Sequence, residues 1–258
     1  MTSTVDGLWV IQFDGITGKS SGVAAFMNNR IYGGDSGHTY LGCIATEGAQ
    51  VGGYFVVRNF VPNYPNTFGG GAYIELHLGG KLVGNRIQGE LRSSKLPAKV
   101  LASVELRKKT DFLAVEGHLN RPDHSAVLIQ SDESLLASNV KIGGFWTIEV
   151  ESVQRTSAGV LFLVNGSVFG GDSGFTFVGT TQTKGGISAR LLVDNFSPEF
   201  PNLFGYFGNC EVDLDLTELS PPGEMSGKAT VLHRPDMTGK CRLRKKAELP
   251  LFTGCSTR

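Results

Sequence analysis

Ile31-Tyr32-Gly33-Gly34-Asp35-Ser36-Gly37, with Tyr40-Leu41-Gly42 after it, returns as Val168-Phe169-Gly170-Gly171-Asp172-Ser173-Gly174 with Phe177-Val178-Gly179. The match continues outward from this stretch. Trp9 pairs with Trp146, Asn59-Phe60-Val61-Pro62 with Asn195-Phe196-Ser197-Pro198, and Leu106-Arg107-Lys108-Lys109 with Leu243-Arg244-Lys245-Lys246. Tyr64-Pro65-Asn66-Thr67-Phe68-Gly69 pairs with Phe200-Pro201-Asn202-Leu203-Phe204-Gly205, and the offset stays within a residue of 137. This is a tandem duplication of one domain, too long and too few in number for a solenoid of units of about 20–50 residues. Each copy is long enough to bury a core of its own. The expected division is residues 1–110 for copy one, 111–142 for a linker and 143–258 for copy two.

The apolar stretches are short and glycine is abundant, at 35 of 258 residues. Trp9, Ile11 and Phe13 alternate within Leu8–Phe13, the period of a strand with one buried face. Gly22–Met27 and Arg30–Tyr32 follow, joined at Asn28-Asn29; in copy two Val160–Val164 and Ser167–Phe169 flank Asn165-Gly166. Asn-Gly between apolar runs is a type I′ hairpin signal, since both residues tolerate positive φ. Further strands are expected near Thr39–Ala45, Val51–Asn59, Ala72–Leu78, Asn85–Arg92 and Leu101–Lys108, about eight per copy. Nearest-neighbour hairpins and bending glycines favour an all-β chain of two tandem eight-stranded antiparallel up-and-down barrels. The segment Asp111–Ile142 reads as a linker with one short helix or one extra strand, its apolar residues packing on a barrel or on another chain.

Basic and acidic residues cancel at 24 each, so no positive field recruits nucleic acid. Cys43, Cys210, Cys241 and Cys255 do not occupy equivalent positions in the copies. A disulfide framework would have been duplicated with its domain, so a reducing, cytoplasmic setting is expected. The start of the chain lacks a signal-peptide pattern, and no apolar run approaches the roughly 20 residues of a membrane span.

Gly34-Asp35-Ser36-Gly37 resembles the nucleophile string of trypsin-like proteases, but no histidine is shared between copies to serve as base. The chain is therefore expected not to be an enzyme, with no catalytic, cofactor-binding or metal residues assigned. The repeated Gly33, Gly34, Asp35 and Gly170, Gly171, Asp172 read as a tight turn, with a binding role at the barrel rim as the alternative. Phe60, Tyr64 and Phe68, with Phe196, Phe200 and Phe204, fill a loop of each copy. That loop is a plug of the barrel mouth, an apolar lid over a cavity, or an interface. Glu211, Asp213 and Asp215 alternate on one solvent-facing side of a strand, counted against Tyr73, Glu75 and His77 in copy one. Trp9 and Trp146 are expected at the closed end of each barrel, as its floor.

Asp6-Gly-Leu-Trp-x-x-x-Phe13, Gly22-Val, Asn28-Asn-Arg-Ile-Tyr-Gly-Gly-Asp35 and Tyr40-x-Gly42 together resemble the start of the GrlR family, bacterial negative regulators of type III secretion genes. Copy two carries the same frame from Gly144 to Gly179. The resemblance covers roughly the first 40 residues of each copy. It implies lipocalin-like (calycin-like) barrels, a cytoplasmic regulator that binds a partner protein, and a paired arrangement with an apolar cavity. A tandem chain could hold its two barrels as a covalent version of that pair. The family's acidic partner-binding loop is missing, because the matching loops read Thr46-Glu47-Gly48-Ala49 and Thr183-Lys184-Gly185-Gly186. The functional expectation is a non-enzymatic regulator or adaptor acting by protein–protein binding. A carrier or sensor of a small apolar ligand held in the barrel is the alternative.

Overall fold

A computed structural model describes residues 5–69, 71–95, 98–112, 143–164, 166–182, 187–198, 200, 201, 203–205, 208–219 and 222–249. The chain is all-β, with two closed barrels of eight antiparallel strands each. The first runs β1 (Gly7–Gly15), β2 (Gly18–Met27), β3 (Arg30–Gly34), β4 (His38–Glu47), β5 (Gln50–Asn59), β6 (Tyr73–Val83), β7 (Arg86–Ser93) and β8 (Val100–Thr110). The second runs β9 (Gly144–Ser152), β10 (Thr156–Val164), β11 (Ser167–Gly171), β12 (Phe175–Gln182), β13 (Ile187–Asn195), β14 (Cys210–Glu218), β15 (Glu224–Val231) and β16 (Arg234–Ala247). Every strand pairs with its neighbour in sequence, and β8 on β1 and β16 on β9 close the sheets. The expected linker, with its helix or extra strand, lies almost wholly outside the described residues.

Local chemistry explains this order. Asn28 and Asn29 both adopt positive φ, 51° and 62°, as a two-residue I′ turn requires. Their turn sets the register Met27↔Arg30 and sends Phe26 and Ile31 inward together. Alternation then fills the first barrel with Trp9, Ile11, Phe13, Phe55, Leu76 and Leu106, and the second with Trp146, Ile148, Leu161, Leu191, Leu214 and Leu243. Around β5–β8 the outward positions carry Arg58, Glu75, His77, Glu90, Arg92, Glu105 and Arg107, with ion pairs Arg92–Glu90 and Arg107–Glu105. Apolar inside and charged outside is the inverse of a membrane-spanning barrel.

Cross-strand register corrects one reading of the repeat. Val56 faces Glu75 and Tyr54 faces His77, while Leu192 faces Glu211 and Arg190 faces Asp213. Glu211 is therefore the counterpart of Glu75 and Asp213 that of His77, two residues from the match counted along the chain. Charged outward positions tolerate any polar residue, so nothing in the strand's own pattern anchored the count. A second departure concerns cysteine: Cys43 is disulfide-bonded, whereas Cys210 and Cys241 are in no disulfide. Cys255 lies outside the described residues.

Candidate functional site: a turn and a loop locked together at one barrel end

Asp35 organises the turn between β3 and β4. Its Oδ1 accepts from the backbone N–H of Gly37 and of His38, both at 2.7 Å, an Asp side chain replacing a strand partner. The Tyr40 hydroxyl donates to Oδ2 at 2.5 Å, and His38 Nδ1 lies 3.1 Å from both carboxylate oxygens. All three side chains are buried. Burial first, then the charge and hydrogen bond of Asp35, push the Tyr40 hydroxyl well above its ordinary pKa, so it remains a donor. In the second barrel Phe175 and Phe177 stand where His38 and Tyr40 do, so this side-chain network belongs to barrel one. Asp172 is itself buried at 8% exposure.

The loop that follows β5 is seated on that turn. Phe60 N–H and Val61 N–H both donate to the Gly37 carbonyl, at 2.9 and 3.3 Å. The Tyr64 ring lies on Gly37, where a methyl group would overlap it, and meets His38 edge-on with centroids 5.4 Å apart. Barrel two repeats the arrangement: Phe196 N–H donates to the Gly174 carbonyl at 3.0 Å, and a methyl at Gly174 would come 2.8 Å from Phe200 Cβ. Asn59 Nδ2 donates to the Tyr64 carbonyl and Asn195 Nδ2 to the Phe200 carbonyl, both at 3.1 Å. The glycine that ends each Gly-Gly-Asp-Ser-Gly string is thus the socket for the aromatic that opens each Pro-Asn loop. The structure brings together the two motifs that the sequence singled out separately.

The far half of the loop turns inward. Phe68 is buried at 5% exposure, edge-on to Phe13 with centroids 5.3 Å apart; Phe204 is buried at 7% in the second core. Phe60 and Phe196 are half-buried, and Phe200 is exposed. Thr17 N–H holds the Thr67 carbonyl at 3.3 Å, and Ser152 Oγ holds the Leu203 carbonyl at 3.1 Å. The loop is therefore tied to the first hairpin as well as to the turn. Behind Phe13 and Tyr40, barrel one retains a cavity of about 20 Å³ bordered by Ile11, Phe55, Leu78 and Val104. That is room for about one water.

At the opposite end each barrel sets a lysine over its tryptophan. The Lys108 ammonium lies 5.9 Å from the Trp9 ring centre and the Lys245 ammonium 5.5 Å from that of Trp146. Each lysine also pairs with an acid three residues on, Asp111 and Glu248. Gly7 and Gly144, at φ of 144° and 143°, leave no Cβ in the lysine's path, and both barrels bulge at this step, Trp9↔Lys108 and Trp146↔Lys245. Trp9 is fully buried and its Nε1 donates to the Val5 carbonyl at 2.8 Å. The signal was present as a Gly-x-Trp start and a matching lysine, both duplicated.

An aspartate orienting a buried histidine is half of a hydrolase machinery. His38 Nε2, the atom that would take a proton, is buried and has no hydrogen-bond partner among the described residues, so none of their hydroxyls or thiols is poised on it. Among the described residues no group of three His, Cys, Asp or Glu side chains could hold a metal ion. No protein-family model and no curated protein matches the chain. One similar solved structure is a provisionally named outer membrane protein from Bacteroides fragilis. It is 9% identical, covers 94% of this chain and 97% of its own, and has a TM-score of 0.25. A superposition this loose carries no inference.

Proposed function

We propose that this chain is a non-enzymatic regulator or adaptor that acts by binding another protein, in the manner of GrlR-type regulators. The observation behind this reading is the filled interior of barrel one. Trp9 packs at one end and Phe68 at the other, and the cavity between them, about 20 Å³, falls far below the roughly 300–1,000 Å³ of ligand pockets. Recognition then falls to the outer surface. The carrier reading would require the Phe68 loop to leave its seat.

A cytoplasmic setting belongs to the same reading. The bonded state of Cys43 weighs against it, since reducing compartments keep thiols free. Native mass spectrometry of the purified chain, set beside its denatured mass, tests the proposal. The expected result is the bare chain mass in both. A small organic molecule released on denaturation would overturn the regulator reading in favour of the carrier.

A further inference from the structure

Two equivalent outer faces of the barrels have diverged in opposite electrostatic directions. On barrel one, β5 and β6 present Tyr54, Val56 and Arg58 beside Tyr73, Glu75 and His77, with Arg92 and Lys95 at the margin. The Arg58 guanidinium lies 5.3 Å from the Tyr73 ring centre, and Tyr73 donates to Glu75 Oε1 at 2.5 Å. This face is aromatic, and with Glu90, which pairs with Arg92, it carries the cations Arg58, Arg92 and Lys95 against the anions Glu75 and Glu90.

On barrel two, β13 and β14 present Arg190, Leu192 and Asp194 beside Glu211, Asp213 and Asp215. By register Asp194 replaces Arg58 and Asp213 replaces His77, and Asp215 stands where barrel one has Gly79; Arg190 pairs with Asp213 and Lys228 faces Asp215, so four acids stand against two cations. Each face has an aliphatic centre, Val56 in one and Leu192 in the other, the latter 45% exposed. An apolar centre inside a charged rim is the anatomy of a protein interface, and the two rims are opposite in sign.

We infer that the basic, aromatic β5–β6 face of one chain docks on the acidic β13–β14 face of a second copy of this chain. Such a contact joins two different patches, head to tail. Opposed rims make the contact salt-sensitive and fix its direction. Self-association of this kind stands apart from the regulator reading, and it holds whether or not another protein binds.

Sedimentation equilibrium of the full chain is the test. The weight-average mass should rise with concentration at low salt, and the affinity should fall at least about tenfold by about 0.5 M salt, where the screening length is about 4 Å. Arg58→Glu with Lys95→Glu should abolish association, and so should Asp194→Lys with Asp215→Lys. Circular dichroism checks that both variants remain folded. Mixing the two variants should restore it, since each then offers a face of opposite sign to the other. A single-chain mass up to about 100 μM at low salt, or association that survives either reversal, would overturn the inference.

Discussion

Removing the Asp35 carboxylate should cost barrel one about 3–5 kcal/mol. In Asp35→Ala, the N–H groups of Gly37 and His38 lose an acceptor at 2.7 Å, and the Tyr40 hydroxyl loses one at 2.5 Å. All lie in a turn where Asp35 is only 5% exposed. Three orphaned donors at about 1–3 kcal/mol each sum to about 3–9 kcal/mol, so the upper part would exceed the stated range. Release of a buried carboxylate from its desolvation cost, and water reaching the Tyr40 hydroxyl, bring it down. Tyr40→Phe, which copies Phe177 of barrel two, removes a single donor and should cost about 1–2 kcal/mol. Each barrel contains one of the two tryptophans, so the assay can be barrel-specific. In a Trp146→Phe background Trp9 fluorescence reports urea unfolding of barrel one alone. With a slope of about 2 kcal/mol/M, the midpoint should move down by about 2 M for Asp35→Ala and by less than about 1 M for Tyr40→Phe. A loss below about 1 kcal/mol for Asp35→Ala, or an equal loss in the two variants, would refute the view that this carboxylate holds the turn.

Gly37→Ala should destabilise barrel one by about 1–3 kcal/mol through overlap with the Tyr64 ring and Cβ, and most of that loss should vanish in a Tyr64→Gly background, measured as a double-mutant cycle. Trp9→Ala should cost barrel one about 3–5 kcal/mol, followed by near-ultraviolet circular dichroism on chemical denaturation; a loss under about 1 kcal/mol would mean that the ring does not close the barrel. Burial pushes the Cys210 and Cys241 thiols up to about 11. Both should therefore alkylate at pH 8 much more slowly than in urea, as peptide mass spectrometry would show. The sign of the linked stability follows: the unfolded thiols lose protons first, so barrel two should weaken as pH rises from about 9 through about 11.

What the sequence determined by itself was whatever depends on neighbours along the chain. The period-2 alternation of Trp9, Ile11 and Phe13, the positive-φ turn at Asn28-Asn29 and the duplication led to two all-β barrels, because side-chain parity and turn chemistry are local. The tertiary structure decided what meets across the barrel. Tyr64 settling on Gly37, Lys108 lying over Trp9 and Phe68 filling the mouth beside Phe13 all join residues from different strands and loops. Their pairing depends on barrel closure and register, which no local pattern encodes. The same holds for β14, where outward acids were matched two residues out of step until hydrogen bonding to β13 placed them. Whether a barrel holds a ligand or its own side chains is likewise a matter of summed volumes in three dimensions. In barrel one Phe13 and Tyr40 border a cavity of about 20 Å³.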